Sequence, residues 1–248
     1  SVMLFNGSYS QAKGNTVKAS YNSYKATVTG LSPNKTYYYR IGSPSKNAYS
    51  DVGTIKTGDP DSQSLTFIDV TDPQEGSENG YKAVAQVFRK AFEMYPHAEF
   101  LMCNGDNVNT SHSSTINISE WIYLFDTSKD ITMNYPYVAT AGNHESADYA
   151  IYDRFNNDFA GTAAHGVYYS FDYGDVHFAI LNTNDGSIEG AQAAWLRNDL
   201  ANTGKKWKIV MLHWAAMTTG QYVDDSLTTK LRSLLLPIMA EYKVDLVL

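Results

Sequence analysis

The stretch PYVATAGNHES, residues 136–146, joins an apolar run to a cluster of polar side chains. The apolar run stops at Gly142, and Asn143, His144 and Glu145 follow it directly. Short apolar runs of this kind are typical of strands in a sheet that is covered on both faces. In α/β proteins ligands bind where such strands end in loops at their carboxyl ends. The stretch therefore predicts a functional loop at the end of a buried strand.

The sequence from about residue 65 onward repeats this arrangement and alternates strands with helices. LTFID, EFLMC, VHFAILN, WKIVML and VDLVL are further short apolar runs. YKAVAQVFRKAFEMY places apolar side chains on one face at helical spacing, and AQAAWLRNDLA and LTTKLRSLLLPIMAEY behave similarly. YYSFDYGDVHFAIL is predicted to form a hairpin. We expect an α/β domain with mixed sheets over residues 59–248.

Residues 1–58 show a different pattern, which indicates a small all-β domain. NTVKASY, YKATVTGL, KTYYYRIGS and SDVGTIKTG alternate as antiparallel strands do, and turn signals separate them. The polar segment GDPDSQS, residues 58–64, has the composition of a linker. The β domain starts abruptly, because a complete sandwich has about seven strands.

Composition excludes several classes of protein. The chain of 248 residues is 43% hydrophobic and 18% charged, as globular proteins are. Its formal net charge of -7 argues against nucleic acid or an anionic membrane as the main partner. No stretch approaches the roughly 20 apolar residues of a membrane span, and the first residues lack a signal segment. Cys103 is the only cysteine and is interpreted as a small buried thiol.

Polar side chains follow four of the predicted strands. They are Asp69, Asp72 and Gln74, then Asn104, Asp106 and Asn109, then Asn143 and His144, and finally His213. Mixed oxygen and nitrogen donors suit Fe, Zn, Mn and similar ions. A carboxylate such as Asp106 can bridge two ions about 3.5–4 Å apart, and such a pair clamps a phosphate ester. Gly105 and Gly142 are expected to let the backbone approach the ions closely.

Each of these residues has a simpler interpretation when it is taken alone. Asp72 or Asp106 is more often a helix cap or part of an Asx turn. Asn143 is equally well a turn residue, His144 a surface imidazole, and His213 a histidine of the core. Their coincidence at four successive strand ends is what favours a metal site.

Four motifs in this order, TDPQ, NGDNVN, AGNHES and VMLHW, resemble four of the five motifs of calcineurin-like metallophosphoesterases. YYSFDYGDVHFAILNT, QAAWLRNDLANT and KWKIVMLH resemble the purple acid phosphatase branch in particular. ATVTGLSPNKTYYYRIGS resembles the end of the fibronectin type III-like domain that precedes the catalytic domain there. The resemblance covers essentially the whole chain. It implies an αββα metallophosphoesterase sandwich after a partial fibronectin type III-like domain.

The resemblance also implies a reaction and a set of ligands. It predicts a hydrolase with two metal ions that cleaves phosphomonoesters or diesters by in-line attack of a metal-bound hydroxide. Asp72 would bind the first ion, Asp106 would bridge, and Asn143 and His213 would bind the second. His144 would face the phosphate as a hydrogen-bond donor or as the general acid for the leaving alkoxide.

Two departures from the family pattern lie within the motifs. Asn109 stands three residues after Asp106, where purple acid phosphatases carry a tyrosine ligand, so we predict no purple Fe(III) chromophore. Gln74 or Asn109 is expected to fill that position as a weaker, neutral ligand. AAMTTGQYVDD contains no counterpart of the family's substrate-side histidine pair. Tyr222 or the pair Asp224–Asp225 is a candidate for that space, although the two carboxylates also suit a solvated acidic loop.

A third departure concerns the family's fifth motif, Gly-His-x-His, which gives one histidine to each ion. The sequence stops at EYKVDLVL, the strand expected to precede it. We therefore expect a fragment of a longer protein, weak or inactive by itself, with the second ion better bound than the first. We also expect an exposed sheet edge that tends to associate. Relatives with this β domain are usually exported, which implies a secreted or cell-surface location.

A second hypothesis belongs to another class of protein. The 19 tyrosines, with 13% aromatic residues overall, suit a surface protein whose β domain binds a glycan or a cell-wall polymer. Tyrosines buried in a sandwich explain the same composition.

Overall fold

The computed structural model describes residues 8–11, 22–109, 118–145, 154–160, 168–184 and 186–248. The helices within these ranges are α1 Glu78–Met94, α2 Ile118–Thr127, α3 Lys129–Thr132, α4 Ala191–Asn202 and α5 Ser226–Glu241. The strands of the amino-terminal part are β1 Ser8–Gln11, β2 Asn22–Lys25, β3 Thr36–Tyr39, β4 Gly42–Ser43, β5 Ala48–Tyr49 and β6 Gly53–Lys56. The remaining strands are β7 Ile68–Val70, β8 Leu101–Cys103, β9 Tyr137–Ala139, β10 Tyr169–Tyr173, β11 Val176–Ile180, β12 Trp207–Met211 and β13 Leu246–Val247.

The later strands form two sheets, of which only the second is mixed. The first sheet has the order β7-β8-β9 and is parallel throughout. The second has the order β10-β11-β12-β13, with β10 antiparallel to β11 and the other pairs parallel. The predicted hairpin is confirmed, since Tyr173 pairs with Val176 across a turn at Gly174. Parallel pairing brings several strand ends to the same edge of each sheet, which is where ligands bind.

Three apolar layers hold the sheets and helices together. Between α1, α2 and the first sheet lie Tyr81, Phe88, Trp121, Leu124 and Leu101. Between the two sheets lie Phe100, Met102, Phe178, Ile180 and Met211. Between the second sheet and helices α4 and α5 lie Val210, Leu196, Leu200, Leu231 and Leu235. Burial of each large apolar side chain contributes about 1.5–3 kcal/mol. The order helix, sheet, sheet, helix is the predicted αββα sandwich.

Local capping signals explain where two of the helices begin. The side chain of Ser77 accepts from the backbone N–H of Gly80 at the start of α1. Asp225 accepts from Leu227 N and caps α5, which continues through Pro237. Such caps satisfy backbone donors that have no partner within the helix. Asp224 and Asp225 are both exposed, and Asp225 serves the fold as a helix cap.

The structure adds two helices that the sequence interpretation missed, α2 and α3. The stretch ISEWIYLFDT of α2 is rich in aromatic and β-branched residues, which have no strong helical preference in isolation. Tertiary packing decides its conformation, because Trp121 and Leu124 are almost completely buried. The predicted strand NTVKASY lies outside the described residues. Cys103 is buried, as expected.

The amino-terminal strands pair in three antiparallel two-stranded sheets, β1-β2, β3-β6 and β4-β5. This β unit contacts the end of α3 and the turn that follows it. The Tyr39 hydroxyl donates to the Met133 carbonyl at 3.0 Å, and the Thr54 N–H donates to Asn134 Oδ1 at 2.9 Å. Within the described ranges, no helix is both long enough and apolar enough to cross a bilayer.

Candidate metal centre

Four of the predicted site residues converge at the carboxyl ends of the strands. Asp72 follows β7, Asp106 follows β8, and His213 follows β12; their ligand atoms all lie within 4.8 Å of one another. Asn143, which follows β9, places Oδ1 3.0 Å from His213 Nε2. Strands β7, β8 and β9 belong to one sheet, and β12 belongs to the other. The cluster therefore lies where both sheets end.

His213 is oriented by a backbone carbonyl. Its Nδ1 lies 2.9 Å from the carbonyl oxygen of Asn104, which only accepts, so Nδ1 carries the proton. Nε2 then faces Asn143 Oδ1 at 3.0 Å and Asp106 Oδ2 at 3.5 Å. Burial lowers the pKa of His213, but its hydrogen bond to Asp106 and the carboxylate's charge outweigh burial, so the pKa is raised. A proton or a metal ion at Nε2 would satisfy both oxygens.

Asp106 is held by hydrogen bonds from the loops after β7 and β9. It is buried, and it accepts from the backbone N–H of His144 at 2.8 Å and from Gln74 Nε2 at 3.2 Å. Burial raises the pKa of Asp106, but its bonds to His213 and His144 and their positive charges reverse this, so the pKa is lowered. The carboxylate therefore stays ionised, which is the form that binds a metal.

Both acidic residues have an unusual backbone conformation. Asp72 has φ of 53° and Asp106 has φ of 51°, in the left-handed region. A residue other than glycine held there costs of the order of 1–3 kcal/mol, and such residues cluster at functional sites. The N–H of Asp72 donates to the carbonyl of Gly105 at 3.2 Å, which ties the two loops together. The Thr71 hydroxyl also donates to the Asp72 carboxylate.

Gly105 and Gly142 are required by contacts between protein groups. A Cβ at Gly142 would lie 2.1 Å from both the backbone N and Oδ1 of Asp106. A Cβ at Gly105, whose φ is 89°, would lie 2.5 Å from His213 Nδ1. The sequence interpretation assigned these glycines to close approach between backbone and ions. The distances show that they allow the ligand loops to approach one another.

Glu145 is a structural part of the site that sequence reasoning did not use. It is completely buried and accepts from the N–H of Val108 at 2.8 Å and from that of Gly142 at 2.9 Å. Its carboxylate thereby joins the loop after β8 to the loop after β9. Burial raises the pKa of Glu145 to about 7, although the two backbone donors oppose this. The sequence feature that could have identified Glu145 is its position directly after His144.

The two neutral side chains predicted as weaker ligands are placed differently. Gln74 reaches Asp106, and its Oε1 is buried with no hydrogen-bond partner among the described residues. Asn109 contributes its backbone instead. Its N–H donates to Glu120 at 2.8 Å, and its carbonyl accepts from His144 Nδ1. No described contact brings the Asn109 side chain to the acidic pair.

His144 and Tyr222 lie at the rim of the cluster. His144 uses Nδ1 to donate to the Asn109 carbonyl, and its Nε2 lies 3.9 Å from Asp106 Oδ2. Tyr222 is 49% exposed. Its ring packs edge to face against Trp214, with the ring centroids 5.8 Å apart. The Trp214 ring in turn packs edge to face against His213, with the ring centroids 6.3 Å apart. Tyr222 is therefore two ring contacts away from His213.

The residues present fit metal ions by three criteria. The donor set combines carboxylates, amides and one imidazole, which suits Fe, Zn or Mn. The Nδ1–H group of His213 donates a hydrogen bond to a backbone carbonyl, as the second ring nitrogen of a metal-binding histidine usually does. The orphaned Oε1 of Gln74 lies on a side chain that contacts Asp106, and a cation would satisfy it. A buried acceptor without a partner is otherwise unfavourable.

Comparison with known proteins identifies the family of the chain. The chain belongs to the calcineurin-like phosphoesterase family, whose model matches residues 49–248, and the model of the purple acid phosphatase N-terminal domain matches residues 4–57. It is similar to purple acid phosphatase 15 of Arabidopsis thaliana, with 26% identity over 228 residues, 79% of this chain and 42% of that protein. It is also similar to the uncharacterized protein Rv2577 of Mycobacterium tuberculosis, with 28% identity, covering 97% of this chain and 51% of that protein.

Solved structures show the same fold. A purple acid phosphatase, PPD1, from yellow lupin seeds superposes with a TM-score of 0.74 at 17% identity, covering 98% of this chain and 50% of that chain. The resemblance to the purple acid phosphatase branch and the predicted αββα fold are thereby confirmed. The chain spans about half the length of the curated relatives that it matches.

Proposed function

We propose that the protein is a metal-dependent phosphohydrolase that acts on phosphomonoesters or diesters. The observation that carries this proposal is the convergence of Asp72, Asp106 and His213 within 4.8 Å, from three strands in two sheets. Membership of the phosphoesterase family supports the same reaction class. We also propose a secreted or cell-surface location, which the match to the purple acid phosphatase N-terminal domain supports.

Each residue of the cluster has a proposed role. Asp106 would be shared by two ions, Asp72 would hold the first, and Asn143 with His213 would hold the second. Gln74 supplies a neutral oxygen beside Asp106. When bound, the two cations activate the attacking water and neutralise phosphate charge. The bonds from His213 to Asn104 O, from His144 N to Asp106 and from Asp72 N to Gly105 O would position these donors.

His144 is proposed to serve the leaving group. Its Nδ1 is held by the Asn109 carbonyl, so the ring is fixed with Nε2 on the side of Asp106. A proton at Nε2 can then be donated to the leaving alkoxide, or it can form a hydrogen bond to a phosphate oxygen. Tyr222 and Trp214 form an aromatic rim that would contact the organic part of the ester.

Metal uptake is the primary test, because the 248 residues contain no Gly-His-x-His motif and hydrolysis is expected to be weak. The chain is titrated with Mn, Fe or Zn, and aryl phosphate hydrolysis is measured in parallel. Asp106→Asn and His213→Ala are expected to weaken metal binding by roughly a hundredfold, at the upper end of known losses at metal sites. His97→Ala changes an exposed histidine outside the cluster and serves as the control. A chain that binds no metal, or variants identical to wild type, would contradict the proposal.

A second candidate is supported by exposed aromatic side chains of the β unit. Tyr38 is 75% exposed and Tyr49 is 44% exposed, so these two tyrosines are not buried in a sandwich core. Such rings can stack on sugars. Binding of a glycan array by the whole chain, abolished by Tyr38→Ala but kept by Asp106→Asn, would support this function. Array binding that Tyr38→Ala leaves intact would exclude this surface.

A further inference from the structure

We propose that Asn184 is a positioning residue for the candidate metal centre, an inference that rests on the proposed function. Asn184 ends the segment LNTN, residues 181–184, which follows β11. Its Nδ2 donates to the carbonyl oxygens of Ala141 at 3.1 Å and Gly142 at 2.7 Å. These two carbonyls directly precede Asn143. Both amide hydrogens of one side chain therefore hold the backbone that presents a candidate ligand.

The orientation of the Asn184 amide follows from its partners. Two carbonyl oxygens can only accept, so the group that faces them is the NH₂. The Oδ1 atom is buried and has no hydrogen-bond partner among the described residues. The Asn184 amide thus holds two carbonyls of the loop while its own buried oxygen has no partner. Because a buried acceptor without a partner is unfavourable, this arrangement indicates that the position of the loop matters.

The preceding residue, Thr183, holds the other ligand loop. Its Oγ1 accepts from the N–H of Trp214 at 3.0 Å, and Trp214 directly follows His213. The loop after β9 extends from the first sheet, and the loop after β12 extends from the second. Two successive side chains of the LNTN segment therefore tie together the loops that carry Asn143 and His213.

The LNTN segment is itself fixed to α4. Gln192, which is completely buried, donates from Nε2 to the Asn182 carbonyl at 2.8 Å, and its Oε1 accepts from the Asn182 N–H at 2.7 Å. The Asn182 side chain then accepts from the N–H of Asn184 at 3.1 Å. The support is thus continuous from a core helix to the ligand loops.

A small displacement of the Gly142 loop has a direct consequence at Asp106. His144 N lies 2.8 Å from Asp106 Oδ1, and a Cβ at Gly142 would come within 2.1 Å of the same oxygen. The two loops are therefore packed at backbone contact distance. Without Asn184, the carbonyls of Ala141 and Gly142 lose their donor, and the loop is held only from its N–H side, by Glu145 and Asp106. The distance between Asn143 and His213 is then less tightly fixed.

Amide hydrogen exchange of the metal-free chain is the first test. Asn184→Ala is expected to raise the exchange rates of the Gly142 and His144 amides about tenfold or more, because their loop loses two hydrogen bonds. Core amides of β12 should keep their rates. Asn202→Ala is the matched control, since the described bonds of that amide are to Asn198 only.

Affinity for Mn²⁺ by titration calorimetry is the second test. Asn184→Ala is expected to weaken Mn²⁺ binding about 10–100-fold, the range seen when the support of a metal ligand is removed. Leu200→Ala, on the buried face of α4, controls for a general loss of stability. It should lower the melting temperature without changing the affinity. Thr183→Val removes the acceptor for Trp214 N and should weaken binding, whereas Thr183→Ser keeps the hydroxyl and should restore it.

The outcomes separate this inference from the proposed function. If wild type takes up no Mn²⁺, both are overturned. If wild type binds Mn²⁺ and Asn184→Ala binds it with unchanged affinity and unchanged exchange rates, the role of Asn184 is overturned while the phosphohydrolase proposal stands. Should Asn184→Ala fail to fold, the Thr183→Val and Thr183→Ser pair decides, and equal affinities in that pair would overturn the inference.

Discussion

At the scale of single residues, Asp106 brings together most of the contacts of the candidate centre. It accepts from His144 N and Gln74 Nε2, faces His213, and lies in the left-handed region of backbone space. A conformation that costs of the order of 1–3 kcal/mol persists only where the surroundings hold it. The neighbouring glycines provide the necessary space, so the site depends on residues that bind nothing themselves.

Gly142→Ala tests this dependence. The new Cβ would lie 2.1 Å from Asp106 N and Oδ1, so the two loops must separate. We expect a loss of about 1–3 kcal/mol in the free energy of unfolding, as overpacking causes. Metal affinity should fall roughly tenfold or more. Urea denaturation and calorimetry measure the two effects.

Gly204→Ala provides the comparison for Gly142→Ala. A Cβ at Gly204 meets no atom within 4 Å. This variant should retain both stability and metal affinity. Equal behaviour of the two alanine variants would show that the contact at Gly142 does not constrain the site.

At the scale of secondary-structure elements, His177 joins the β10–β11 hairpin to α4. Its Nδ1 lies 2.7 Å from Asp172 of β10, and its Nε2 lies 2.8 Å from Asp199 of α4. Ser170 donates to the other oxygen of Asp199 at 2.7 Å, and Lys205 lies 3.9 Å from Asp172. Burial lowers the pKa of His177, but the two carboxylates outweigh it and the pKa is raised. The imidazolium form is therefore the one that holds these elements together.

The stability of this contact should depend on pH. A raised pKa in the folded state means that the contribution is fully present below about pH 6.5 and is lost as pH rises through the folded value. The stability difference between wild type and His177→Gln is therefore expected to be larger at pH 5.5 than at pH 9. Urea denaturation at both pH values measures it. His97→Gln gives the baseline for an exposed histidine, and a difference that does not change with pH would contradict the contact.

At the scale of the whole molecule, the β unit is attached to the phosphoesterase domain through the turn after α3. Asn134 accepts from Thr54 N at 2.9 Å, and Met133 O accepts from the Tyr39 hydroxyl at 3.0 Å. A Lys56–Glu99 ion pair at 3.4 Å joins the two parts at another place, but it is exposed and contributes little. The neutral hydrogen bonds are therefore expected to carry more of the attachment.

Tyr39→Phe measures one of these bonds. Removing the hydroxyl leaves the Met133 carbonyl without that donor, and we expect a loss of about 0.5–1.5 kcal/mol in the free energy of unfolding. Tyr38→Phe is the matched control in the same strand, because Tyr38 is 75% exposed. Thermal or urea unfolding of both variants measures the loss in the free energy of unfolding. Equal stabilities would mean that the bond does not attach the β unit.

Metal binding should stabilise the whole sandwich. Asp72 and Asp106 follow strands of the first sheet, while His213 follows a strand of the second, so an ion among them connects both sheets. At a metal concentration one hundred times Kd, binding to the folded state adds about 2.7 kcal/mol. The melting temperature should rise with Mn²⁺ and fall again with a chelator. Asp106→Asn should remove this response, and a variant that kept it would place the ion elsewhere.

The strands of the phosphoesterase part and helices α1, α4 and α5 could be predicted in order from the sequence alone, together with the polar residues at the strand ends, whereas α2 and α3 could not. These features are local: an apolar run specifies a buried strand, and the residue after it lies at the edge of the sheet. The convergence of Asp72, Asp106, Asn143 and His213 could be anticipated for this reason. Whether they are ligands stays a proposal, and the boundary at residue 58 and association through a sheet edge stay predictions.

The neighbours that support the site follow from tertiary packing and could not be predicted from the sequence. Gln74 and Asn109 were equivalent candidates in the sequence, yet Gln74 reaches Asp106 while Asn109 offers its backbone to His144. Glu145 and Asn184 join loops whose residues lie far apart along the chain. The sequence marked Glu145 only as the neighbour of His144, and no local pattern marked Asn184. The physical reason is that such contacts depend on strand register and on how two sheets pack face to face. Those relations are set by the whole core, not by any one segment.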